Sequence, residues 1–301
     1  MAAAVHSCKT GKGWPDSLAM LEATRRDSEL AIFALIVGGV LYGLSAYFLV
    51  PLLWRHYEHQ KGLAGLTMLT RTRDEIPADP INVGAVGSEE DLLCAMHAAQ
   101  WFPADPVTLR SSIEIIGSVV LDRPYHEAPV SPLYCQGKRQ DFAFQKPAGR
   151  SADRRHHVRF WKVLDRGEEG RAVWLGAASF DRGVGFSHKD GRITHHIGSN
   201  IDADRDLLTT DLIAARVVAS IYQVTGIGPT IDGRNGGGDL YYTDGEIKIS
   251  VLVDGCALRA ATTTVLPDPP LVQLKNRAWS AIVSILLALP SEPARDADGI
   301  Q

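Results

Sequence analysis

Two runs, HHVRFWKV (156–163) and AVWLGAASF (172–180), decide how the larger part of this chain reads. Both are rich in β-branched and aromatic residues and are bounded by Arg, Asp and Gly, the texture of sheet strands. Side chains alternate along a strand, so His157, Arg159, Trp161 and Val163 share one face, and His156, Val158 and Phe160 the other. DFAFQ (141–145), ITHHI (193–197) and IKISVLV (247–253) carry the same texture between Gly, Pro and Asp. Ser88 stands three residues before Asp91 and opens the spacing Leu92, Leu93, Met96, Ala99, which predicts a capped helix of about twelve residues. Further helices are expected over Thr108–Leu121 and over Asp202–Tyr222, the latter through Leu208, Leu212, Ala215, Val218 and Ile221. The order predicts an α+β domain, a mostly antiparallel sheet with flanking helices.

Upstream lies Leu30–Trp54, twenty-five residues without a charge between Glu29 and Arg55. At about 1.5 Å per residue a helix of this length spans roughly 37 Å, enough to cross a bilayer. Tyr42, Tyr47 and Trp54 suit the interfaces. The preceding segment carries acids and the apolar run exceeds a cleavable leader's, so the expectation is one retained N-terminal transmembrane helix, with the bilayer as a partner. The division that follows is a polar segment over 1–29, the span over 30–54, a juxtamembrane linker over 55–74, a soluble domain over 75–267, and a terminal amphipathic helix with a disordered tail over 268–301. In that last part Leu271, Leu274, Ala278, Ile282, Ile285 and Leu286 recur at helical spacing, for packing on protein or lying on lipid.

Lys12, Arg25 and Arg26 precede the span, while Arg55, Lys61, Arg71 and Arg73 follow it, which leans towards a cytoplasmic domain. Overall, 31 basic against 35 acidic residues leave a net charge of −4, which disfavours nucleic acid as a partner. Cys8, Cys94, Cys135 and Cys256 show no ligand spacing, and a disulfide framework is not expected from them.

Chemistry would fall to the histidine pairs His156/His157 and His195/His196, near Asp181, Asp202, Asp204 and Asp206. Imidazoles with carboxylates can hold a divalent metal ion that activates water, with His157, Asp181, His195 and Asp202 as ligands and His157, His195 and His196 as the catalytic imidazoles. Hydrogen-bonded core or surface histidines are the other reading, and the acids equally suit the first turn of a helix. Arg150, Arg154, Arg155, Arg159 and Lys162 concentrate positive charge where a phosphate or carboxylate could bind, and equally suit a solvated face paired to the acids over Asp202–Asp211. GRNGGGD (233–239), with Arg234 and Asn235, reads either as an anion-wrapping loop or as a hairpin turn.

DPINVGAVGSEEDLLCAMHAAQWFPADPVTLRSS, SPLYCQGKRQDFAFQKP, RRHHVRFWKV, VWLGAASFDRGVGFS, ITHHI and GRNGGGDLYYTDG, in this order across Asp79–Val265, resemble the LssY-like C-terminal domain family of bacterial proteins. The resemblance implies a bacterial membrane setting, since such domains follow a membrane anchor or join phosphatidic-acid-phosphatase-like or DedA-like membrane domains. It points to a phosphate-bearing or lipid-linked small molecule as substrate and transfers no catalytic residue. Where the family pattern has Pro-Asp after the second histidine pair, this chain has Ser199 and Asn200, and an amide is the poorer metal ligand. Three readings follow: a membrane-tethered metal-dependent hydrolase, a non-catalytic ligand- or partner-binding module of a secretion or envelope complex, and a metal-free phosphate-acting enzyme using histidine.

Overall fold

The structure, a computed structural model, describes residues 17–106, 108–110, 113, 132–148, 154–186, 193–256 and 262–288. The chain forms two compact units, Met1–Leu53 and Trp54–Gln301. The first is helical: α1 (Ser17–Leu44) continues through a π turn (Ser45–Leu49). After it, α2 (Val50–Trp54) opens the way into the second unit. Pro51 explains the wide turn, because its ring has no N–H to give and crowds the carbonyl one turn back. Residues Arg25–Trp54 are long and apolar enough to cross a membrane, and none of their apolar stretch is buried inside the protein.

In the second unit a small sheet is formed by β1 (Leu69–Arg71), β2 (Pro77–Pro80), β5 (Tyr134–Cys135) and β6 (Lys138–Arg139). The large sheet contains β3 (Val83–Val86), β4 (Phe102–Pro103), β7 (Phe142–Pro147), β8 (Arg155–Leu164), β9 (Val173–Phe186) and β10 (Ile193–Ile197). It is completed by β11 (Val218–Thr225), β14 (Glu246–Leu252) and β15 (Thr264–Val265). The order is β15-β11-β14-β3-β9-β8-β7-β4, with β10 on the far end of β9, and among the described strands of this sheet β3–β14 and β11–β15 pair in parallel and the rest antiparallel. A separate hairpin joins β12 (Thr230–Arg234) to β13 (Leu240–Thr243). The α+β expectation holds.

One sheet face packs Phe142, Phe144, Val158, Phe160 and Trp174 on α3 (Glu89–Ala98) and α4 (Ile201–Ala214). The other packs Trp161, Leu175, Ala177, Ile247 and Ile249 against Leu63, Met68, Ala78, Ile81 and Cys135. Each fully buried side chain of this size contributes about 1.5–3 kcal/mol. Residues 55–74 thus belong to this unit, and Leu63 and Met68 enter its core. At Gly176 a Cβ would lie 2.8 Å from Val83 Cγ2 and 2.9 Å from the Phe160 ring, so only glycine lets β3, β8 and β9 approach there.

Ser88 caps α3 as expected: its Oγ accepts from Asp91 N at 3.0 Å and its own N–H donates to Asp91 Oδ2 at 2.8 Å. The helix expected over Asp202–Tyr222 is corrected. It ends at Ala214, Arg216 turns with φ +60°, and the β-branched run Val218–Thr225 becomes β11, paired along its length with β14. Apolar residues spaced three and four apart happened to continue across that turn. Of Thr108–Leu121, Thr108–Arg110 are helical and most of the rest lies outside the described residues. Cys94 is disulfide-bonded, which corrects the expectation from spacing. Spacing measures only neighbours in sequence, whereas a disulfide needs neighbours in space. The final helix, α5 (Pro270–Ala288), is present, and the tail beyond it lies outside the described residues.

Candidate functional site

On β8 the alternation predicted from sequence puts Arg155, His157 and Arg159 on the face of Trp161, and all three are buried. Antiparallel register sets Ser179 opposite His157 and Asp181 opposite Arg155, with Gln145 of β7 on His157's other side. Directly opposed side chains have Cβ atoms about 4.5–5.5 Å apart, so these polar groups must meet. His157 Nε2 lies 2.9 Å from Ser179 Oγ, and His157 Nδ1 lies 3.2 Å from Asp181 Oδ1. The second contact is electrostatic, since Nδ1 is close to the carboxylate but off the line of a hydrogen bond. Arg155 Nε donates to Asp181 Oδ2 at 3.2 Å and its NH1 to Gln145 Oε1 at 3.0 Å.

Arg159, diagonal to Ser179, reaches Asp79 Oδ2 at 3.4 Å, while its Nε is buried without a hydrogen-bond partner. Burial holds the Arg159 guanidinium below its usual range, and Asp79 and Asp181 oppose that shift. A hydroxyl, an imidazole, two carboxylates and two guanidiniums therefore converge in a site from which water is largely excluded, with Ser179 1% exposed. Such exclusion strengthens each charge interaction.

Asn82 fixes β9 where this array sits. Beyond β3, whose pairing ends at Gly176, its Oδ1 accepts from Ala178 N at 2.8 Å and its Nδ2 donates to Ala178 O at 2.9 Å and to Ile201 O at 3.2 Å. The side-chain amide bridges the gap before β10 takes over at Asp181, and it satisfies main-chain groups that burial would otherwise strand.

The other expected site residues have different positions. His156 points to the helical face, where Nδ1 is 2.6 Å from Asp204 Oδ1 and the ring lies on Phe180. His196 Nδ1 is 2.7 Å from Asp239 Oδ1, and Asp239 Oδ2 accepts from Ile197 N at 3.0 Å. The GRNGGGD stretch is a hairpin loop. Asn235 Oδ1 holds Asp239 N at 2.8 Å, and the exposed Arg234 donates to Gly238 O at 3.0 Å. Asp202 accepts from Thr243 Oγ1 at 2.6 Å and from Asp244 N at 2.8 Å, and burial raises its pKa against the pull of Arg205. Asn200 caps α4 through Ala203 N at 3.3 Å. His195 pairs Val184 in β10, and its side chain lies outside the described residues.

The structure thus brings together His157, Asp181, Arg155 and Arg159, and holds Asp202, His196, Arg234 and Asn235 to other partners. Among the described residues no group of three or more His, Cys, Asp or Glu could hold a metal ion. Strand geometry agrees: His157 lies opposite position 179 and His196 opposite 183, on strands flanking β9, which separates their Cα atoms by roughly 16 Å. Ser179, Asn82, Asp79 and Asp239 carry no motif that marks them individually in the sequence. The one sequence signal for Ser179 is its place two residues before Asp181 in an otherwise apolar run.

The sequence profile of one family, described as LssY C-terminus, matches residues 63–247, more than half of the chain. No curated protein and no solved structure matches it.

Proposed function

Because this chain belongs to the LssY C-terminus family, we propose that it is a single-pass membrane protein whose domain hydrolyses a phosphate-bearing or lipid-linked molecule through Ser179, His157 and Asp181. The observation that carries this reading is the array of Ser179 Oγ 2.9 Å from His157 Nε2 and His157 Nδ1 3.2 Å from Asp181. With the imidazole proton on Nδ1, facing the carboxylate, Nε2 takes the Ser179 proton as Oγ bonds to the substrate's carbonyl carbon or phosphorus. Asp181 stabilises the imidazolium, which then returns that proton to the departing oxygen, and water repeats the sequence to release the second product. The unpartnered Nε of Arg159 is a donor for the developing anionic oxygen, and Arg155 holds Asp181 in place. The three residues are buried, so access for a substrate requires a local opening of the domain.

A metal-free site fits the described residues better than the metal-dependent version, since of its described ligands His157 and Asp181 meet while Asp202 is held by Thr243 and Asp244. The test uses full-length protein in detergent and a fluorophosphonate probe, followed by peptide mass spectrometry. The expected result is one adduct on Ser179, lost in His157→Gln. A folded wild type that neither takes up the probe nor hydrolyses an ester or phosphate ester would sink the proposal.

For sidedness, the Cys94 disulfide supports an oxidising compartment for the domain, against the lean of the flanking Lys and Arg residues. Mass-tagged maleimide added as cells are lysed under denaturing conditions should label Cys94 only after reduction, and labelling without reductant would return the domain to the cytoplasm.

A further inference from the structure

The helix α5 presents two different faces. Val272, Lys275 and Trp279 are buried against the domain, whereas Leu271, Leu274, Ile282 and Ile285 are exposed, with Leu274 and Ile285 each at 63%. With Ala278 these exposed residues recur at spacings of three and four, so they form one stripe about 21 Å long. Gln273, Arg277, Ser280 and Ser284 occupy the remaining surface. Ser280 and Ser284 turn their hydroxyls back on the helix, donating to Asn276 O at 3.0 Å and Ser280 O at 2.8 Å, so both are satisfied without water.

This helix is fixed rather than appended. Gln273 Nε2 donates to Asp268 O at 2.8 Å, and Gln223 Nε2 donates to Asp268 Oδ2. Lys275 Nζ donates to Glu246 Oε1, and the other Glu246 oxygen lies 3.5 Å from His56 Nε2. His56 Nδ1 in turn is 3.1 Å from Trp54 O, to which Thr225 Oγ1 also donates at 3.1 Å. Trp54 is the last residue of the membrane-length helix. Two side chains, His56 and Glu246, therefore separate the start of α5 from the point where the chain leaves the apolar segment.

We infer that α5 lies on the surface of the same bilayer, its stripe Leu271, Leu274, Ala278, Ile282 and Ile285 set among the lipid headgroups and upper acyl chains. The inference rests on reading the N-terminal helix as a membrane span. Continuity selects lipid as the occupant, because a stripe tied this closely to Trp54 is already at the interface where that span ends. Arg277 beside the stripe suits an anionic lipid surface. The domain then has two membrane contacts, and a lipid-linked substrate would meet it at a fixed height.

The test uses the full chain in vesicles of phosphatidylethanolamine and phosphatidylglycerol, with photoreactive benzoylphenylalanine in place of Leu274, of Ile285 or, on the opposite face, of Gln273. Lipid adducts several-fold stronger from the first two positions than from the third are expected. Equal labelling from all three, or adducts to a second copy of the chain, overturns the inference. Extraction at alkaline pH separates the two readings. Protein released from the vesicles removes the span and this inference with it, whereas retained protein without lipid adducts removes only α5.

Discussion

Two buried arrays in this domain contain the same functional groups: Ser179, His157 and Asp181 on β8 and β9, and Thr225, His56 and Glu246 beside Trp54. In each, a hydroxyl lies close to one imidazole nitrogen, at 2.9 Å for Ser179 and 3.0 Å for Thr225, and a carboxylate faces the other nitrogen. In each, a cation sits on the carboxylate, Arg155 on Asp181 and Lys275 on Glu246. They differ in what the hydroxyl does. Thr225 Oγ1 accepts from His56 N at 3.0 Å and donates to Trp54 O, so the main chain holds it. Ser179 Oγ bonds to His157 alone among the described residues. The two arrays match in composition and differ in the freedom of the hydroxyl, which is the ground for proposing chemistry at the first and a structural joint at the second.

The largest expected effect tests that distinction. Ser179→Ala should cost on the order of 10³-fold or more in turnover, as loss of the nucleophile from such a set does, while leaving a folded protein. Thr225→Val should leave turnover near wild type and lower the unfolding midpoint, because two main-chain groups lose a partner. Steady-state kinetics and denaturant melts on the same preparations decide it. Equal loss of turnover in both variants would erase the difference between the arrays.

The next test concerns the joint. Burial pushes the Glu246 carboxyl upward, and Lys275 and His56 hold it back. Lys275→Met leaves Glu246 buried with only a 3.5 Å contact to His56, and breaking such a pair should cost about 3–5 kcal/mol. The double variant Glu246→Gln with Lys275→Met should recover most of that, since no charge is then stranded. Urea unfolding followed by tryptophan fluorescence measures both, and a single variant within about 0.5 kcal/mol of wild type would show that the joint bears little.

The arrays were unequally legible in the sequence. Alternation along HHVRFWKV put His157 and Arg159 on one face, and that reading survives because strand parity depends only on neighbours. Which strand lies beside it does not follow from parity, so Ser179 stayed hidden although its run was identified as a strand. His56, at the end of an apolar block, read as part of a linker, because its partners Thr225 and Glu246 are 169 and 190 positions away. The helix expected through Tyr222 failed for a related reason. Val218 and Ile221 fit both a helical stripe and a buried strand, and pairing with β14 decided between them.

Asn82 links the two kinds of role, since it is structural in its bonds and chemical in its consequence. Asn82→Ala strands Ala178 N and O beside Ser179, at about 1–3 kcal/mol. Turnover should fall more than stability predicts, because β9 carries two of the three groups proposed to react. Melts and kinetics together test this, and a stability loss with unchanged turnover would mean that the register holds without the amide.

The smallest effect calibrates what a purely structural acid contributes. Burial opposes ionisation of Asp91, yet hydrogen bonds involving Ser88 and the Arg171 guanidinium outweigh it, so its carboxyl sits below the ordinary value of 3.8. A carboxyl lowered by folding adds stability above its unfolded pKa and loses it as pH falls through the folded one. The difference between wild type and Asp91→Asn should therefore be about 1 kcal/mol near neutral pH, the usual worth of an N-cap contact, and shrink below about pH 4. Unfolding free energies at pH 7, 5, 4 and 3 test the sign. A difference that stays constant to pH 3 would mean that Asp91 acts through shape, and its ion pair with Arg171 would then contribute nothing that a neutral amide does not.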